Sequence, residues 1–130
     1  MPESLPLEDL ELLPSIDWDA EFPEHWQPDL DGARAALDGF LQDGIGGYPK
    51  RRDRPAVDGT SRLSPFLQCG QLGPRQVWQA VHESGAAENS DGFKFLSEIA
   101  WREFAYHLLF HYPETPTQPL HDAYRQFPWE

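Results

Sequence analysis

The chain reads as an all-α protein, and three features of the sequence lead there. Apolar residues recur at helical spacing in several short stretches, and no stretch alternates apolar and polar residues as a half-buried strand would. Thirteen prolines and ten glycines then cut the chain into short pieces, so loop-rich helical structure is expected. At 130 residues there is room for one modest core, and five tryptophans are many for so short a chain.

Taken in order, the first segment, MPESLPLEDLELLPSIDWDAEFPEHW, has prolines at positions 2, 6, 14 and 23 and no sustained period. It reads as an extended acidic linker. From Asp31, a plausible N-cap, Ala33, Ala36, Leu37, Phe40 and Leu41 recur at helical spacing until Gly44, Gly46 and Gly47 stop the helix. Ser64-Pro65 is a cap and first-turn signal that turns Phe66 and Leu67 inward, with Gly70 as the stop. Gly73-Pro74 opens another helix carrying Val77, Trp78 and Val81, and residues 84 to 92, SGAAENSDG, form a polar loop.

The longest helix is expected from Phe93 to Tyr112, ending there because Pro113 disfavours helical geometry in the residue before it. It is apolar almost all round, which points to burial between partners. Glu98, Trp101, Arg102 and Ala105 share one face, flanked by Phe95 and Leu109. The plain reading is an i,i+4 ion pair from Glu98 to Arg102 with the tryptophan as core. The sharper one is a polar pocket wall.

The formal charge of −12 speaks against nucleic acid until its distribution is followed. Residues 1 to 43 carry twelve acids against Arg34 alone, whereas Lys50, Arg51, Arg52, Arg54, Arg62 and Arg75 cluster between 44 and 76 against Asp53 and Asp58. A local basic strip can meet phosphate while the acidic segment stays in solvent; the competing reading is a solvated charged loop. The single cysteine, Cys69, excludes an internal disulfide and a multi-thiolate metal site. No apolar run reaches membrane-spanning length and no secretory signal pattern opens the chain, so a cytoplasmic location is expected.

The stretch DGTSRLSPFLQCG, residues 58 to 70, places hydroxyls and an arginine between a turn and a helix start. Such a run could cap the helix or hold an anion, since backbone donors at helix starts, hydroxyls and a guanidinium all suit a pyrophosphate. Three motifs stand together with it: Y-P-K-R-R-D-R-P-A-V-D-G-T-S-R-L-S-P, G-P-R-Q-V-W and E-I-A-W-R-E-F. Their order and spacing resemble the DNA photolyase and cryptochrome family over nearly the whole chain.

The resemblance implies an incomplete helical domain that binds flavin adenine dinucleotide (FAD). Residues 1–30 would be the interdomain linker and 31–130 the N-terminal part of the FAD-binding domain. It implies that Tyr48, Thr60, Ser61, Arg62, Leu63, Ser64 and Arg102 contact the flavin nucleotide, with the T-S-R-L-S run on its phosphates and ribityl region. Phe95 stands at a further flavin position where some members carry tryptophan. Arg52 matches a DNA-contact position, and Glu98 and Trp101 match the pair that faces a flipped-out pyrimidine dimer, hydrogen-bonding and stacking on it. Trp129 matches the surface end of the family's electron-transfer chain. Glutamate with tryptophan is similar to the enzymes that repair cyclobutane dimers. Glutamine usually replaces the glutamate in animal cryptochromes and (6-4) enzymes, and plant cryptochromes usually lose the tryptophan.

The resemblance therefore implies light-driven, FAD-dependent repair of damaged DNA, with the remaining half of the FAD domain as a partner and little activity from this chain by itself. Two other readings stand beside it. One is a non-catalytic remnant or a cryptochrome-like flavin photoreceptor fragment. The other is a helix-borne metal site at Glu103, His107 and His111, which recur at i, i+4, i+8 but lack the His-Glu-x-x-His pattern. Gly44-x-Gly46-Gly47 reads as a flexible connector, because no strand precedes it.

Overall fold

The protein is described by a computed structural model that covers residues 4–12 and 14–128. Among these residues there are helices and turns but no strand. The helices are α1 (Phe22–His25), α2 (Leu30–Gly39), α3 (Tyr48–Arg51), α4 (Ser64–Gln68), α5 (Pro74–Glu83) and α6 (Ser90–His111). No helix among the described residues is long and apolar enough to cross a membrane.

The acidic first segment is mostly exposed irregular chain, as its prolines predict, broken by a 3-10 turn at Leu7–Leu10 and the single turn of α1. Its aromatic residues stack edge-on, Trp18 on Phe22 at 5.5 Å between ring centres and Phe22 on Trp26 at 6.2 Å. Gln71 then ties the segment down by donating to the Pro28 carbonyl at 2.6 Å.

Helix α2 starts earlier than expected, because Asp29 rather than Asp31 is its cap. Asp29 has extended backbone geometry, and its carboxylate accepts from the Gly32 amide at 2.7 Å; Asp31 lies inside the first turn. That amide bond holds the Asp29 carboxyl below the usual range. At its far end α2 does not stop at the glycines as the sequence suggested. It widens into a π turn over Phe40–Gly44, and reversal comes only at Gly47, where φ is +72°.

Phe40 from the π turn, Tyr48 from α3 and Phe95 from α6 meet as an aromatic centre, Phe40 and Phe95 at 4.6 Å and Tyr48 and Phe95 at 5.4 Å. Each such pair adds about 0.5–1.5 kcal/mol beyond its buried area. Around them Ala33, Leu37, Leu63, Phe66, Val77 and Val81 close the core. Phe66 and Leu67 turn inward as expected, but Trp78 is exposed, one position off the Val77–Val81 stripe.

Helix α6 also starts earlier than expected, taking Ser90 to Gly92 out of the predicted loop. Asn89 is extended, and its side-chain oxygen accepts from the Asp91 and Gly92 amides at 2.9 and 3.0 Å, a cap that the loop-like composition hides. Asp91 reaches back to accept from the Gly47 amide at 2.7 Å, locking the start of α6 to the start of α3. The helix ends at His111, and Tyr112 has left helical geometry before Pro113, as the proline requires.

Burial along α6 departs from the expectation of a helix enclosed by partners. Gly92, Phe95, Leu96 and Ile99 are buried against α3 and α5, while Trp101, Phe104, Tyr106, Leu109 and Phe110 are exposed, Phe110 at 82%. Its first half is a core helix; its second half leaves the core behind.

Candidate functional site

The loop between α3 and α4 carries the T-S-R-L-S run. Gly59 lets it close, because a Cβ there would lie 2.5 Å from the backbone carbonyl of Arg51. Three residues later Arg62 sits at φ +51°, a left-handed conformation uncommon outside glycine. It costs about 1–3 kcal/mol and persists where surrounding structure imposes it. Among the described residues the amides of Thr60, Ser61 and Arg62 have no acceptor in the chain, while Leu63 donates weakly to the Ser61 hydroxyl at 3.4 Å.

Thr60, Ser61 and Arg62 line a cleft of about 370 Å³ together with Arg51 and, from the first segment, Trp26. Hydroxyls, unpaired amides and two guanidinium groups make this lining a donor surface suited to phosphate oxygens. Arg62 is partly offset by Asp58 at 3.4 Å, an exposed pair of small worth. Ser64 does not cap α4 as expected: it is the first helical residue, Leu63 holds the cap position in helical geometry, and no side chain caps the turn. Its hydroxyl stays exposed.

The other residues that the family resemblance implicates in flavin contact divide differently. Tyr48, Leu63 and Phe95 lie in the core, at 7%, 1% and 2% exposure. Burial pushes the Tyr48 hydroxyl above its usual range. Arg102 lies away from the loop, at α4's C-terminal end. It pairs with Glu103 at 2.9 Å, stacks over the Tyr106 ring at 4.7 Å and donates to the Tyr106 hydroxyl, which in turn donates to Gln68 at 2.9 Å.

Glu98 therefore does not pair with Arg102. Its carboxylate accepts from Lys94 at 2.7 Å and from Arg52, whose guanidinium also stacks over Tyr48. Lys94 first, and Arg52 next, hold the Glu98 carboxyl below the usual range, and the bond to Glu98 raises Arg52. One turn on, Trp101 stands 64% exposed, touching Phe104 edge-on at 5.7 Å. It is surface, not core. An ionised acceptor and an open indole thus share one surface with a basic pair.

Glu103 is engaged by Arg102, and although the His107 and His111 rings lie 4.4 Å apart, no group of three metal-binding side chains forms among the described residues. Trp129 lies outside the described residues.

No protein-family model matches the chain. Its sequence is 41% identical over 130 residues to the deoxyribodipyrimidine photo-lyase of Agrobacterium fabrum, covering 98% of this chain and 27% of that protein. An enzyme of the same name from Thermus thermophilus is 37% identical over 131 residues, covering 99% of this chain and 30% of that one. In structure the chain superposes on a bacterial class III photolyase from Agrobacterium tumefaciens with a TM-score of 0.87 at 40% identity, covering 99% of this chain and 27% of that one. The chain belongs to the photolyase family. It spans about a quarter of the length of the curated photo-lyases it matches, and its all-α fold is that of the matching part of a photolyase.

Two groups in this photolyase-family chain escaped sequence reasoning. Arg51 looked like one more member of a basic strip, yet its guanidinium donates to the carbonyls of Asp58 at 2.6 Å, Gly46 at 3.3 Å and Asp43 at 3.4 Å. Asp91 looked like loop composition. The partner of each is a backbone atom, which residue identity does not advertise.

Proposed function

We propose that the chain supplies part of the FAD and lesion site of a deoxyribodipyrimidine photo-lyase, an enzyme that uses light to split cyclobutane pyrimidine dimers in DNA. The observation that carries this reading is the exposed Trp101 beside a Glu98 carboxylate held by Lys94 and Arg52. A flipped-out dimer offers a flat face and polar edges, and an open indole with a fixed carboxylate matches both.

FAD, when bound, supplies the light-driven electron. Thr60, Ser61 and Arg62 would hold its phosphates, since the open amides and hydroxyls of the cleft fit that group, with Ser64 following them at the start of α4. Tyr48, Leu63 and Phe95 would support that wall from the core, and Arg102 would act from the C-terminal end of α4. Trp101 stacks on the dimer. Glu98 accepts a hydrogen bond from it, and Arg52 and Lys94 keep that carboxylate ionised. In this reading Arg52 reaches the DNA as part of the pair, residues 1–30 are linker, 31–130 are the first part of the FAD domain with the remaining part as partner, Trp129 is an electron exit, and the location is cytoplasmic.

The test is a chimera in which this chain replaces the matching segment of the Agrobacterium fabrum photo-lyase. Blue-light repair of a thymine-dimer oligonucleotide is expected, and Trp101→Ala in the chimera should weaken dimer DNA about ten- to a hundredfold with flavin content unchanged. A chimera that keeps flavin but repairs nothing would favour a light-sensing role, and one in which Trp101→Ala strips the flavin would sink the lesion-platform assignment.

A further inference from the structure

We propose that Arg51 is a positioning residue that sets the shape of the phosphate-side loop. What the loop binds rests on the flavin reading above, but the shaping does not. Arg51 ends α3 and extends its guanidinium between two separate pieces of backbone. Nη2 donates to the Asp58 carbonyl at 2.6 Å, and Nη1 donates to Gly46 at 3.3 Å and Asp43 at 3.4 Å. The residue thus staples the turn after the π helix to the residue that opens the approach to the T-S-R-L-S run. The backbone of the same arginine also forms the surface on which Gly59 rests, where a Cβ would meet the Arg51 carbonyl at 2.5 Å.

Between these two anchor points and the buried Leu63, the chain must pass through Arg62, whose φ of +51° is the strained step. A clamp on Asp58 is what the strain requires, since a left-handed arginine relaxes unless its flanks are held. Among the described residues Arg51 has carbonyl partners and no carboxylate within ion-pairing distance. Its charge therefore remains available to the cleft it lines. Lysine cannot replace it, because a compact ammonium lacks the planar fork that spans two carbonyl groups in different segments.

The experiment is NMR on the whole isotope-labelled 130-residue chain and its Arg51→Lys and Arg51→Ala variants. A positive φ gives Arg62 a strong cross-peak between its own amide and α protons. The strong peak is expected in the parent and weakened to the level of its negative-φ neighbours in both variants, while amide shifts of α6 stay in place. Its persistence in Arg51→Lys, or its absence from the parent, overturns the proposal; Arg51→Lys decides the matter even if Arg51→Ala does not fold. A second arm titrates FAD and riboflavin into the parent and Arg51→Lys. FAD affinity should fall about tenfold and riboflavin affinity should not move, because the loop would have to be reordered around phosphate at each binding event. Weaker FAD binding with the Arg62 peak intact would mean that Arg51 acts by its own contact, and it also overturns the positioning role. A parent that shows the strong Arg62 peak, loses its strength in Arg51→Lys and takes no FAD would leave the clamp standing, with the flavin site incomplete without the remaining part of the domain.

Discussion

Glu98 shows how one side chain's partners change what it can do. A glutamate in an unfolded chain titrates near about 4.3, and Lys94 and Arg52 hold the folded carboxyl below its usual range. The pairing therefore stabilises the fold fully above that unfolded value and is lost as pH falls through the depressed folded one. With Glu98 27% exposed, solvent screening keeps the contribution modest, in the range of about 0.2–1 kcal/mol for such pairs. Glu98→Gln should flatten the acid side of the stability profile, read by urea unfolding at neutral pH and at about pH 3; parallel profiles for parent and variant would remove the ion pair from the account.

Trp101 gives the complementary prediction. Being 64% exposed, it should cost no more than about 0.5 kcal/mol when replaced by alanine, whereas Phe95→Ala, at 2% exposure, should cost about 3–5 kcal/mol. Unfolding midpoints of the two variants decide it, and a large loss from Trp101→Ala would return that indole to the core. The sequence placed Glu98 and Trp101 on one face correctly, because helical periodicity is local. It named Arg102 as the ion-pair partner and missed Arg52, because Arg52 follows α3, and the i,i+4 rule sees only one helix.

Between neighbouring elements, caps and close approaches do the joining. Asn89 ends the polar loop and starts α6, so Asn89→Ala should cost about 0.5–2 kcal/mol. Gly92 matters more, since a Cβ there would run into the Ala86 carbonyl of the 3-10 turn at Ala86–Glu88. Gly92→Ala should thus destabilise beyond the cap mutant even though alanine favours helices, a reversal of intrinsic preference readable in thermal melts. A stabilised Gly92→Ala would show that α6 and the turn are not packed as described. Boundaries set by proline, such as the end of α6 before Pro113, were legible in the sequence. Those set by a cap's backbone angles, at Asp29 and Asn89, were not, because several nearby residues could have capped and tertiary contacts chose among them.

For the molecule as a whole, the second half of α6 presents an exposed apolar surface. Trp101, Phe104, Tyr106, Leu109 and Phe110 lie open along it, more apolar area than scattered surface residues need. Phe110→Ser should reduce binding of a hydrophobic dye and slow self-association in light scattering while leaving the urea midpoint nearly unchanged, since Phe110 is 82% exposed. A lowered midpoint would mean that the side chain packs in solution.

The sequence by itself determined the helical class, the punctuation by proline and glycine, the inward residues of α4, and the motifs that carry the family resemblance. These rest on chain-local chemistry: periodicity, fixed φ and residue identity in order. Tertiary structure decided which arginine meets Glu98, that Arg51 staples two loops through their carbonyls, that Arg62 adopts a left-handed backbone, and where along α6 burial gives way to exposure. Each of those depends on segments remote in sequence meeting in space, and backbone carbonyls and packing partners leave no mark on the residues that will find them.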